Sequence, residues 1–174
     1  MFGLLIYPPF SLNLPGDTSD KPKGRRATMA EYYDEQQVFE DWHEAAVRVR
    51  YAETDKMGFV YHANYLIWFE IGRTEFCRAR GFAYRDMEEN DGAFLVVAES
   101  YCRYKAPAYY DDELIIRTHV TELRRRSLRF GYEIIRPADE VIIAEGETYH
   151  VITDGAGRVR SLPEDYIHLL SPVE

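Results

Sequence analysis

A tyrosine, a carboxylate and a glycine lie close together in the run Tyr51-Ala-Glu-Thr-Asp55-Lys-Met-Gly58-Phe-Val-Tyr61-His62-Ala-Asn-Tyr-Leu. An apolar stretch with helical spacing begins directly after them. Free N–H groups at a helix start can hold a carbonyl oxygen while a nearby carboxylate works on the carbonyl carbon. Asp55 could then act as a nucleophile or draw a proton from water. The competing reading is structural: an aspartate before a helix often caps it, and a glycine in such a loop often only supplies a turn.

The elements around this run follow from the apolar pattern. Ala45 or Ala46, Val47, Val49 and Tyr51 alternate with polar residues, predicting a strand over 43–51. Over 61–80 Leu66, Phe69, Gly72 and Phe76 recur at helical spacing, with Tyr65, Ile67 and Trp68 widening the stripe. Glu70 with Arg73, and Glu75 with Arg78, are expected i,i+3 ion pairs on the opposite side. Gly81 is the expected stop. A short acidic helix is expected over 84–90, followed by strands. Leu114, Ile116, Thr118 and Val120 alternate with their neighbours, as do Leu128, Phe130, Tyr132 and Ile134. Less regular strands are expected over 93–104 and 141–153. Asp111-Asp112, Pro137-Ala138-Asp139 and Gly155-Ala-Gly157 read as turns. One strand, a long helix and four closely connected strands predict an α+β fold, an antiparallel sheet around one helix.

Composition narrows the class. The 174 residues suit one domain with a substantial core, and 14 Tyr and 9 Phe exclude a wholly disordered chain. A net charge of −9 argues against nucleic-acid binding by bulk electrostatics. No run has the length of a membrane span, so no membrane partner is expected. Cys77 and Cys102 lack metal-ligand spacing and read as core thiols on a helix and a strand, which fits a cytoplasmic location. Residues 1–40 form an expected flexible extension, punctuated by Pro8, Pro9, Pro15, Gly16, Pro22 and Gly24, ahead of a domain over 41–174. The apolar opening lacks a basic start and runs into Pro8-Pro9, so no signal peptide is expected. Met29 is a candidate start.

There is no P-loop, dinucleotide glycine fingerprint, Gly-x-Ser-x-Gly elbow or His-Glu-x-x-His. Direct carboxylate chemistry at Asp55 therefore stays in view. From about His43 to Leu170 the chain resembles the hotdog-fold acyl-CoA thioesterases of the 4-hydroxybenzoyl-CoA thioesterase type. The pattern is Tyr51-x-x-x-Asp55-x-x-Gly58-x-x-Tyr61-His62-x-x-Tyr65, then Phe69-Glu70 and Arg73-x-Glu75. Tyr109-Tyr-Asp-Asp-Glu-Leu and Glu122-Leu-Arg124-Arg-Arg126-Ser127 extend it.

The resemblance implies a hotdog fold and hydrolysis of an acyl-CoA, with coenzyme A as part of the substrate and no cofactor or metal. It implies Asp55 as the catalytic aspartate and His62 as the residue whose backbone N–H polarises the thioester carbonyl. It sets Tyr51 beside the site, against a reading as a strand-end core aromatic. It gives Gly58 to the close passage of the loop past substrate, with Tyr61 at the same place. The triplet Arg124, Arg125 and Arg126 is implied at the nucleotide phosphates, where guanidinium groups fork onto oxygens; otherwise it is a solvated turn. Lys105, Arg158 and Arg160 are weaker candidates for the phosphates and read first as surface charges. A homodimer or homotetramer with the site between subunits is implied as well. Two rivals remain: a hotdog enoyl-thioester hydratase or dehydratase, and a non-catalytic acyl-CoA-binding protein.

Overall fold

A computed structural model of the protein describes residues 41–171, all within one unit, Gln36–Glu174. The expected extension over 1–40 and the candidate start at Met29 lie outside the described residues. Strand β1 (His43–Arg48) leads through a short 3-10 turn to helix α1 (Asn64–Ala79) and helix α2 (Tyr84–Asp91). Strands β2 (Phe94–Tyr104), β3 (Glu113–Arg124), β4 (Ser127–Arg136) and β5 (Val141–Thr153) follow, then helix α3 (Glu164–Leu170). The five strands form one antiparallel sheet in the order β1-β3-β4-β5-β2. This is the predicted α+β arrangement. The seven-residue α3 was not foreseen; Leu170 buries it, and Tyr166 packs edge-on to Phe82 at 5.0 Å.

Alternation decides the face of the sheet that turns inward. Register aligns Ala45, Ile116, Ile134 and Ala144 across four strands, and Thr118, Tyr132 and Gly146 in the next row. Against them lies α1, whose buried residues are Tyr65, Trp68, Phe69, Gly72, Phe76 and Cys77, the i, i+3, i+4, i+7 spacing of one face. Phe69 stacks on Tyr132 at 4.3 Å, and Phe76 meets Phe130 edge-on at 5.7 Å. The helix comes so near the sheet that a Cβ on Gly72 would lie 2.4 Å from Thr118 Oγ1.

Two expectations for α1 change. The helix begins at Asn64 rather than at 61, and Leu66 and Ile67 are 41% and 47% exposed. Both are apolar, but they point away from the sheet, and among the described residues no element covers that side. The expected pairs are present, Glu70–Arg73 at 3.7 Å and Glu75–Arg78, and Gly81 ends the helix region at φ 92°. Cys77 and Cys102 are both free thiols. Among the described residues no helix is long and apolar enough to cross a membrane.

Candidate active site

The chain leaves β1, makes a 3-10 turn over Tyr51–Glu53, and then turns tightly from Asp55 to Gly58. Gly58 N–H donates to Asp55 O at 3.0 Å with Gly58 at φ 88°, where any side chain would be strained although a Cβ would have open space. Its role is thus conformational, and it does not line the cleft described below. Met57 N–H donates to Asp55 Oδ1 at 2.7 Å, fixing one carboxylate oxygen within the loop. The other, Oδ2, takes no hydrogen bond from the described residues. Asp55 therefore caps its own turn instead of α1.

Glu53, which drew no attention in the sequence, is the anchor of this loop. Its carboxylate is 4% exposed and accepts from Arg50 N at 2.8 Å, Arg50 Nη2 at 2.8 Å and Trp68 Nε1 at 3.3 Å. Burial alone would raise its pKa, but hydrogen bonds from the Arg50 side chain and backbone and from Trp68 outweigh burial and hold it below the usual carboxylate range. The Glu53 carbonyl also receives Tyr61 N–H at 2.9 Å and Asn64 Nδ2 at 2.7 Å. One residue thus ties the turn to the start of the helix.

That helix start is uncapped. The N-cap is Ala63, with no side-chain cap, and Asn64 spends its side chain on Glu53 O. The N–H groups of His62 and Ala63 meet no acceptor among the described residues, leaving them free for a ligand. The His62 imidazole lies against Tyr61, ring centres 4.2 Å apart. Tyr104 Oη donates to His62 O at 3.1 Å from the end of β2.

Asp55 and His62 both line one cleft of about 380 Å³. Its apolar walls come from Phe59, Tyr65, Tyr104 and Pro107; of these the sequence pattern included only Tyr65, without a role in the site. The 105–108 segment is fastened across the mouth by Val60 N–H to Ala108 O at 2.9 Å and by the Phe59–Tyr109 bridge. Arg136 holds the same segment through Pro107 O and Asp112. Lys105, read as a surface charge, also lines the cleft and pairs with Glu145 at 2.8 Å.

Other expected site residues fall outside the cleft. Tyr51 is 78% exposed and sits edge-on to Tyr110, neither a core aromatic nor a cleft residue, because the 3-10 turn swings it outward. Tyr61 is 48% exposed and does not line the cleft. Arg124, Arg125 and Arg126 form the exposed β3–β4 hairpin, with Arg124 paired to Glu122. The Asp55 loop docks at the opposite end of β3, near Asp112 and Glu113, roughly 35 Å of strand away. Within one chain the arginines and Asp55 are not brought together. Arg158 pairs with Asp154 at 2.7 Å, and Arg160 holds Asp91 O and Gly92 O beyond α2.

Residues 49–170 match the family model of the thioesterase-like superfamily. The acyl-CoA thioester hydrolase YbgC of Escherichia coli is 37% identical over 122 residues, 70% of this chain and 90% of that protein. The crystal structure of a DHNA-CoA thioesterase from Staphylococcus aureus superposes with a TM-score of 0.70 at 29% identity, over 74% of this chain and 87% of that one. The 4-hydroxybenzoyl-CoA thioesterase of Pseudomonas sp. strain CBS-3 gives 0.68 at 24% identity, over 74% and 98%, a likeness of fold.

Proposed function

The chain is an enzyme of the thioesterase-like superfamily with the hotdog fold, and we propose that it hydrolyses acyl-CoA thioesters with Asp55 as its working carboxylate. One observation carries the assignment of the site: a single cleft is lined by Asp55, with one carboxylate oxygen unengaged among the described residues, and by His62, whose N–H at the helix start is likewise unengaged. The thioester carbonyl oxygen accepts from the His62 N–H, with Ala63 adjacent, as charge builds on it. Asp55 then adds to the carbonyl carbon or takes a proton from an attacking water, and the thiolate of coenzyme A departs. A thioester is already activated, so no cofactor or metal enters this reading.

A second copy of the chain completes the site. Strand β2 is an exposed sheet edge carrying Val96, Val97 and Tyr101 at the surface. Antiparallel pairing of β2 with a copy sets the partner's Phe94 end beside the Tyr104 end of this strand. Register places Ser127, beside the arginine hairpin, level with Val151 and Val96 at that Phe94 end. The partner's Arg124, Arg125 and Arg126 therefore come toward the cleft mouth, where they suit the nucleotide phosphates. The assembly is then a homodimer or a pair of dimers, and two free thiols fit a cytoplasmic setting.

Asp55→Asn tests the reading. The amide keeps the Met57 hydrogen bond through its oxygen but is neither base nor nucleophile. Thiol release over a panel of acyl-CoAs should fall by about a thousandfold or more in kcat with KM nearly kept. Retention of a tenth of wild-type kcat would place the chemistry elsewhere.

A further inference from the structure

The hydroxyl of Tyr104 is the side-chain group that reaches the backbone of the uncapped helix start. It donates to His62 O at 3.1 Å, and that carbonyl shares a peptide plane with the unengaged Ala63 N–H. We propose that Tyr104 is a positioning residue, fixing the His62–Ala63 peptide and polarising its Ala63 N–H, which stands next in the chain to the His62 N–H that receives the thioester oxygen. The inference rests on the hydrolase reading above.

Four observations support the contact. Tyr104 ends β2, where pairing with Ala144 fixes its backbone. Its ring lies edge-on to the buried Tyr65, centres 4.9 Å apart, so packing on that side aims the hydroxyl. Partial burial, with Cys102 nearby, raises its pKa above the ordinary phenol value, so the hydroxyl stays a donor across the working pH range. The carbonyl it meets has no other partner among the described residues.

The chemistry follows from how a peptide responds to its own hydrogen bonds. A donor on the carbonyl draws electron density through the amide and makes the attached N–H a better donor, by about 10–30% per bond in a chain. It also removes rotation of the His62–Ala63 peptide, so the donors are aimed before charge develops. A residue acting in this way speeds the chemical step and leaves ground-state binding alone.

Tyr104→Phe in the full-length chain removes only the hydroxyl. Removing an oxyanion donor outright lowers kcat by about 10²–10³; loosening and weakening one should lower it about tenfold. The experiment measures kcat and KM by thiol release with butyryl-CoA and benzoyl-CoA, the thermal midpoint, and the backbone amide proton of Ala63 by NMR without substrate. The expected result is kcat down about tenfold, KM and the thermal midpoint unchanged, and the Ala63 amide proton moved upfield. A purely structural tyrosine would shift the midpoint and leave the Ala63 amide where it was; that result overturns the inference. A rise in KM with kcat kept would make Tyr104 a binding residue and overturn it too. Unchanged kcat in an active enzyme sinks this inference alone. Wild-type protein inert toward both thioesters would sink the hydrolase reading, and this inference with it.

Discussion

Glu53→Gln should unfold the enzyme at markedly lower temperature while leaving most of its catalytic chemistry intact. The carboxylate accepts three N–H groups, Arg50 N and Arg50 Nη2 at 2.8 Å each and Trp68 Nε1 at 3.3 Å. Glutamine offers one oxygen and an NH2 that can only donate. With its oxygen at the Oε2 position, the NH2 faces the indole N–H of Trp68, which is 1% exposed. With the oxygen turned the other way, the Arg50 backbone N–H loses its acceptor. Either rotamer leaves a donor unpaired, at about 1–3 kcal/mol, and also loses charge assistance at the bond that survives. The sum is about 2–4 kcal/mol, and at ~4 °C per kcal/mol the midpoint should fall by roughly 8–16 °C. Thermal unfolding by circular dichroism at fixed protein concentration reads it, since an oligomer's midpoint depends on concentration. The difference is also pH-dependent. Glu53 has a lowered pKa in the folded state, so its ionisation stabilises the fold above the ordinary carboxylate value of about 4.3. That stabilisation is lost as pH falls through the lowered folded value, and the gap between wild type and variant should narrow there. The variant Trp68→Phe removes the indole donor, so Glu53→Gln should cost less in that background. A midpoint within 2 °C of wild type at pH 7 would refute the idea that Glu53 anchors the loop.

Two further substitutions probe the helix and its start. Gly72→Ala places a Cβ 2.4 Å from Thr118 Oγ1 and 2.7 Å from Ile116 Cγ2, and should cost about 1–3 kcal/mol despite alanine's better helix propensity; chemical denaturation should also find part of that loss recovered by adding Thr118→Ala. His62→Ala retains the backbone N–H and removes a ring packed on Tyr61, so kcat/KM should fall by no more than about tenfold, far less than for Asp55→Asn. Equal losses would instead indicate side-chain chemistry at His62.

Local pattern carried most of the fold and little of the site. Alternation at Leu114, Ile116, Thr118 and Val120 marked β3 because each inward side chain meets α1 or a neighbouring strand, a constraint every second residue must satisfy. Leu66 and Ile67 misled the reading of α1, since apolarity says that a side chain suits cover but not which element supplies it. The spacing from Asp55 through Gly58 to His62 was legible because one turn and one helix start are built from consecutive residues. Glu53 was not: a carboxylate in a loop reads as solvated, and its acceptor role depends on Trp68, fifteen residues on and one helix away. An indole that must be buried and needs an acceptor was the available signal, yet it does not say which of the nearby carboxylates answers it. Tyr104 and Lys105 were still less legible, since β2 had to be threaded to the sheet edge before either could face residues more than forty positions earlier. The arginine hairpin marks the far limit of this reading. Its three charges are plain in the sequence, but the strand between them and Asp55 is longer than any side chain can span. Within one chain they do not meet, and it is the proposed pairing of β2 with a second copy that brings them together.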